Sequence, residues 1–181
     1  MRAVPSAPPG ASSSARAEPG DAACLDYYRR LATGVAVVTA CGASGWSGTT
    51  VSTLTSVSLD PPIVLCCFRH GSHTLAALER AGCFAVHLLT DDQADLADRF
   101  GRASGDSTRF IELGYETTLV RGAPVIADVL AVGWCDVHAI VEVGDHWVAY
   151  GRLTAVRVRH SRPLIWHDRR YRLLDAAHTM A

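Results

Sequence analysis

Lysine is missing from this sequence, and all 17 basic residues are arginines. Chemistry that needs a lysine amine, such as a Schiff base, is therefore closed to it. An excess of either charge is missing too: 18 acidic residues balance the arginines to a formal net charge of −1. That leaves no field strong enough to mark a generic nucleic-acid binder or a protein steered onto an anionic membrane. Gly, Ser, Asp and Arg interrupt every apolar stretch, whereas a membrane helix needs about eighteen apolar residues in a row. No Cys-x-x-Cys pair occurs among the six cysteines, so no metal site is expected. Gly-x-Gly-x-x-Gly, a Walker loop and a Gly-x-Ser-x-Gly elbow are also absent. Their absence disfavours a Rossmann or P-loop nucleotide site and a serine hydrolase elbow.

What remains is a chain of 181 residues, 49% of them hydrophobic. That suffices for one domain with a substantial core, and is far from a disordered composition. Residues 1–22, rich in Ala, Ser, Pro and Gly, read as a disordered tail. The folded domain is expected over 23–175, with 176–181 as a C-terminal tail. No basic patch followed by an apolar stretch opens the chain, so no secretory signal is read there. Most cysteines lie in apolar runs, where a reduced thiol behaves as a small hydrophobe. A soluble, cytoplasmic protein is the expectation.

Periodicity predicts a short helix over Cys24–Thr33, with Leu25, Tyr28 and Leu31 on one face and Gly34 stopping it. Val35–Ala40 and Ile63–Phe68 read as buried strands. Ser72–Ala81 fits a helix with Ser72 as N-cap and Gly82 just beyond its end. After a strand at Phe84–Leu89, Thr90 to Gln93 has the form of a capping box opening a helix to about Phe100. Cys135, Val137, Ala139, Val141 and Val143 alternate with Asp136, His138, Ile140 and Glu142, the pattern of a half-buried strand, and Gly144-Asp145 marks a hairpin turn. The return strand, His146–Arg159, switches phase at Val156, which predicts a bulge. Long hairpins with only three short helices point to a mainly β fold, a barrel with helices packed outside it.

Two stretches stand out chemically. In Ser47-Gly48-Thr49-Thr50-Val51-Ser52-Thr53-Leu54-Thr55-Ser56-Val57-Ser58 most side chains carry a hydroxyl. Such a run is either a solvent-facing strand or a wall of polar groups for a planar ligand. Arg69-His70-Gly71-Ser72-His73-Thr74 follows a strand and begins a helix, so free amides and hydroxyls there would suit an anion such as phosphate. An ordinary capped helix explains the same residues. Gly144-Asp145-His146 places a histidine beside a tight turn, a common polar turn position. The residues alone thus reach a phosphorylated, planar ligand in a polar groove.

The chain resembles the short flavin reductases that serve two-component monooxygenases, members of the FMN-binding split-barrel group. The resemblance rests on Thr33-Gly34-Val35-Ala36-Val37-Val38-Thr39, on Gly48 through Asp60-Pro61-Pro62, and on Ser72-His73-Thr74. Further matches are Phe84-Ala85-Val86-His87-Leu88-Leu89, Gly122-Ala123-Pro124-Val125-Ile126, Gly144-Asp145-His146, Gly151-Arg152-Leu153 and Tyr171-Arg172-Leu173. It implies a mainly β split barrel with flanking helices that forms a homodimer and binds FMN or FAD. It implies NADH or NADPH as co-substrate and a separate monooxygenase as partner. Thr50, Val51, Ser52 and Thr53 would lie along the flavin's ribityl chain and ring. Ser56, Val57 and Ser58 would meet the polar edge of the isoalloxazine, and Ser72 and Thr74 the phosphate. His146 would stand on the nicotinamide side as the single candidate catalytic residue. Thr49-Thr50-Val51-Ser52 departs from the family's usual Met-Thr-Ala-Asn, and His87 replaces a frequent Asn. Either change would alter flavin binding, unless His87 is a core residue.

Hydride transfer between two stacked rings asks little of acids and bases. The resemblance therefore implies no residue whose loss abolishes the reaction. Two other readings stay open at this point. One is a split-barrel flavoprotein with tightly bound FMN that oxidises a substrate itself. The other is a flavin- or haem-binding module without turnover.

Overall fold

The computed structural model describes residues 20–43, 45–102, 110 and 117–174. The two terminal segments read as tails lie almost wholly outside them. The chain is a mainly β split barrel with flanking helices. Its main sheet has seven antiparallel strands. In sheet order these are β3 (Gly45–Val51), β2 (Ala36–Gly42), β6 (Cys83–Leu88), β9 (Ala131–Val143), β10 (His146–Val158), β5 (Pro62–Arg69) and β4 (Thr55–Leu59). Short strands β1 (Thr33–Gly34), β11 (Ile165–His167) and β12 (Arg170–Arg172) make a second sheet, and β7 (Thr117–Val120) and β8 (Ala123–Ile126) a hairpin.

The central strands are apolar on both faces because both faces are covered. Ala36, Val38 and Ala40 of β2 join Phe84, Val86, Cys66, Phe68 and Ala149 in an inner core, closed by Leu75 and Leu78 of helix α2 (His73–Ala81). The alternate residues Val35, Val37 and Ala85 face an outer core. There they meet Leu96, Ala97 and Phe100 of helix α3 (Ala94–Gly101) with Ala123, Val125 and Ile126 of β8. A two-residue period therefore divides one continuous apolar run between two cores.

Gly151 shows how tightly the barrel is packed. A Cβ there would come within 2.3 Å of Phe84 Cζ and 2.9 Å of the Cys135 Cβ. The edge of the Phe84 ring fills the space a side chain would need.

Helix α2 follows the sequence reading. The Ser72 hydroxyl accepts from the Leu75 N–H at 3.2 Å, and Gly82 closes the helix in the left-handed region at φ 68°. Other expectations are corrected. Helix α1 spans Asp21–Arg29 and buries no residue. Its expected inner face is open to solvent, with Leu25 55% and Tyr28 60% exposed. Gly34 belongs to β1, not to a helix stop. The capping box is half formed: Gln93 Oε1 accepts from the Thr90 N–H at 3.0 Å, but the Thr90 hydroxyl donates to Asp92, and α3 begins only at Ala94. In β9 the inward phase breaks after Val137. Gly151 pairs with Val137 and Tyr150 with Ala139, so His138 is an extra residue and Ile140 turns inward while Val141 and Val143 are exposed. The return-strand bulge lies at Thr154, between the pairs Leu153–Cys135 and Ala155–Trp134. β7 carries no strand signal in the sequence reading, and β8 none beyond its place in the family resemblance.

Candidate functional site

β3 and β4 are the two edges of the main sheet, and the chain crosses between them through Ser52, Thr53 and Leu54. Here the barrel is split. The Thr53 hydroxyl, just ahead of β4, accepts from the Cys67 N–H of β5 at 2.9 Å and extends the β4–β5 pairing. A groove of about 590 Å³ opens beside this crossing. One wall is β3 from Gly48 to Val51, continuing through Ser52 and Thr53. The opposite wall is Cys67 to Arg69, the loop His70–Gly71 and the first turn of α2, with Gly101, Arg102 and His146 on the rim.

The wall is polar largely through its backbone, since β3 is an edge strand whose second edge has no partner strand among the described residues. Its side chains are mostly committed to the scaffold. The Thr50 hydroxyl donates to the Ala97 carbonyl at 2.7 Å and fastens β3 to α3. Val51 turns into the inner core. The Thr49 and Ser52 hydroxyls have no hydrogen-bond partner among the described residues. Thr74 is buried, and its hydroxyl pairs with that of Ser47 at 3.0 Å.

At one end of the groove stands the start of α2. Ser72 takes the Leu75 N–H, and its carbonyl takes the Ala76 N–H at 3.1 Å. The amides of His73 and Thr74, in the first turn, have no intrahelical acceptor and carry the positive end of the helix dipole. They line the groove, as do Arg69 and Arg102. This is the chemistry of a phosphate seat.

His146 opens β10 directly across from Arg69 in the strand register. Its Nδ1 lies 2.8 Å from Asp145 Oδ1. That hydrogen bond, with the imidazole's charge, holds the Asp145 carboxyl below the usual carboxylate range. The carboxylate in turn orients the imidazole, leaving Nε2 as the ring's other polar atom. Beside it, His70 Nε2 reaches Glu142 Oε1 at 3.3 Å.

Of the sequence-predicted residues, the groove gathers Thr50, Val51, Ser52, Thr53, Ser72, Thr74 and His146. Ser56, Val57 and Ser58 lie apart on β4, where Val57 is the extra residue of a bulge between the pairs Ser56–Val64 and Ser58–Ile63. Gly101 and Arg102 line the site without any sequence signal, because only the docking of α3 on β3 brings them there. His87 is a core residue. It is fully buried, its Nδ1–H donates to the Val37 carbonyl at 3.0 Å, and its Nε2 accepts from the Ile126 N–H at 3.2 Å. Burial lowers its pKa to about 4, so the ring is neutral and stitches β2, β6 and β8 together.

The groove's volume falls within the range of small-molecule sites. Its unpaired strand edge suits a polar ring edge, and its helix start suits the phosphate. Residues 28–175 match the family described as flavin reductase like domain, and the chain belongs to that family. A probable flavin reductase of Rhizobium meliloti (strain 1021) is 38% identical over 136 residues, 74% of this chain but only 42% of the relative's length. The reductase subunit HsaB of a flavin-dependent monooxygenase from Rhodococcus jostii (strain RHA1) is 33% identical over 78% of this chain and 72% of its own. Among solved structures, the NADH:FAD oxidoreductase SgcE6 of Streptomyces globisporus, in complex with NAD and FAD fragments, superposes with a TM-score of 0.79. It is 29% identical and covers 87% of this chain and 94% of its own.

Proposed function

We propose that this protein reduces FMN or FAD with NADH or NADPH and releases the reduced flavin to a separate monooxygenase. The observation that carries the reading is the groove itself. It joins an open strand edge at Gly48–Val51 to the unpaired amides of α2, with His146 across its mouth. When bound, a flavin supplies a ring that accepts a hydride and gives it up again. The chain's own work is positioning. The β3 edge would hold the ring's polar rim, Ser72 and the His73 and Thr74 amides the phosphate. His146, steadied by Asp145, would orient the nicotinamide. A relative that is the reductase subunit of a flavin-dependent monooxygenase supports the separate partner.

Two finer readings belong with this proposal. The protein works as a homodimer, supported by apolar side chains left in solvent at Leu59, Val156 and Val158, which are 94%, 63% and 69% exposed. It resides in the cytoplasm, supported by six cysteines that are all free thiols. Among the described residues no helix is long and apolar enough to cross a membrane.

The test separates flavin from phosphate recognition. Ser72→Ala is expected to weaken FMN several-fold more than riboflavin, which lacks the phosphate. Equal weakening of both would remove the phosphate from α2.

A further inference from the structure

The groove does not end at Ser52. Thr50, Ser52, Gly101 and Arg102 also line a second chamber of about 480 Å³ on the far side of that ridge. Its floor is aromatic. Trp166 of β11 and Tyr171 of β12 meet edge to face, with ring centroids 5.1 Å apart and planes at 63°. The Tyr171 hydroxyl donates to Asp98 Oδ1 of α3 at 2.7 Å, which fixes the shelf against the helix that borders the groove. The family resemblance assigns none of these three residues a task at the flavin ring.

We propose that this chamber receives the adenosine half of a dinucleotide whose diphosphate crosses the neck at Arg102. The inference rests on the flavin reading of the groove and extends it. A half-buried tryptophan with its orientation set by a neighbouring ring offers a π-face to a purine. Asp98, although it accepts from Tyr171, keeps further lone pairs for ribose hydroxyls. Its negative charge also sets the ligand's direction: a phosphate is repelled from the Asp98 end and drawn toward Arg102. FMN has no adenosine and leaves the chamber unused. Both FAD and a nicotinamide dinucleotide carry the required unit.

Calorimetric titration of FAD and FMN into the full-length wild-type protein, Trp166→Ala and Trp166→Phe tests this. Steady-state KM values for NADH, with FMN as acceptor, are measured beside it. The proposal predicts that Trp166→Ala weakens either FAD binding relative to FMN, or NADH use at unchanged FMN affinity, by about tenfold, the size of one aromatic–base stacking contact. The first outcome assigns the chamber to FAD, the second to the nicotinamide nucleotide. Trp166→Phe keeps a stacking ring and retains most of the affinity, which separates stacking from a folding defect. If the wild type binds FMN while the FAD:FMN ratio and the NADH KM are both unmoved in Trp166→Ala, the chamber proposal is overturned and the flavin reading stands. If the wild type binds neither flavin, the flavin reading falls and takes the chamber with it.

Discussion

Ser72 serves the fold and the site with one hydroxyl. It caps α2 by accepting the Leu75 N–H, so Ser72→Ala is expected to cost about 1 kcal/mol of stability as well as the phosphate preference. Chemical denaturation of the flavin-free protein reads the first effect apart from the second. His146 is argued to act on the nicotinamide. His146→Ala should raise the KM for the reduced dinucleotide at least several-fold while flavin affinity stays nearly constant, and unchanged nicotinamide kinetics would remove it from the site. His87 makes a prediction about pH. Burial lowers its folded pKa from an unfolded value near 6.5 to about 4, so the unfolded chain binds the proton first. Stability is therefore full above pH 6.5 and falls as the pH drops toward 4, by up to about 3 kcal/mol from this group alone. Urea titrations at pH 7.5 and 5 measure the loss. In His87→Gln the same acid step should be shallower, and an identical slope in both proteins would contradict the assignment.

Elements explain what the sequence made legible. Local signals were sufficient for α2, whose cap and stop are both short-range, and for the apolar runs of β2, β5 and β6. They failed where a distant neighbour decides. Leu25, Tyr28 and Leu31 have helical spacing, yet α1 buries nothing. The β9 pattern reads as one uninterrupted alternation, but the extra residue at His138 turns Val141 and Val143 outward. A bulge is set by the partner strand's register, which a single run of residues does not contain. The groove shows the same division. Thr50–Thr53, Ser72, Thr74 and His146 were nameable from motif order, whereas Arg102 enters only because α3 docks on β3. Beside the burial of Leu96, Ala97 and Phe100, the Thr50–Ala97 hydrogen bond fastens that docking. Thr50→Val should cost about 1 kcal/mol and weaken flavin binding by loosening the wall, both measurable by denaturation and titration of one variant. Gly151→Ala should be worse for stability, by about 1–3 kcal/mol, because the new methyl meets the Phe84 ring at 2.3 Å. A thermal midpoint equal to the wild type's would show that Phe84 moves aside freely.

At the scale of the whole molecule, the split in the barrel is the functional invention. A closed barrel would pair the free edge of β3 with a neighbouring strand. Here that edge has no partner strand among the described residues, and on the proposed function it is left to a ligand. Two cores pack on opposite faces of the sheet, and the first turn of α2 lines the same groove as that edge. On the proposed function such a scaffold would position two rings and exchange its cargo, and hydride transfer between them would ask little of acids and bases. The most direct test is a steady-state assay in air, with NADH or NADPH and added FMN, FAD or riboflavin, followed by loss of reduced-nicotinamide absorbance beside the protein's own visible spectrum. The account predicts a nearly colourless protein whose oxidation of the dinucleotide is rapid and saturates with added flavin. A yellow protein that consumes no reduced nicotinamide with any flavin would contradict it.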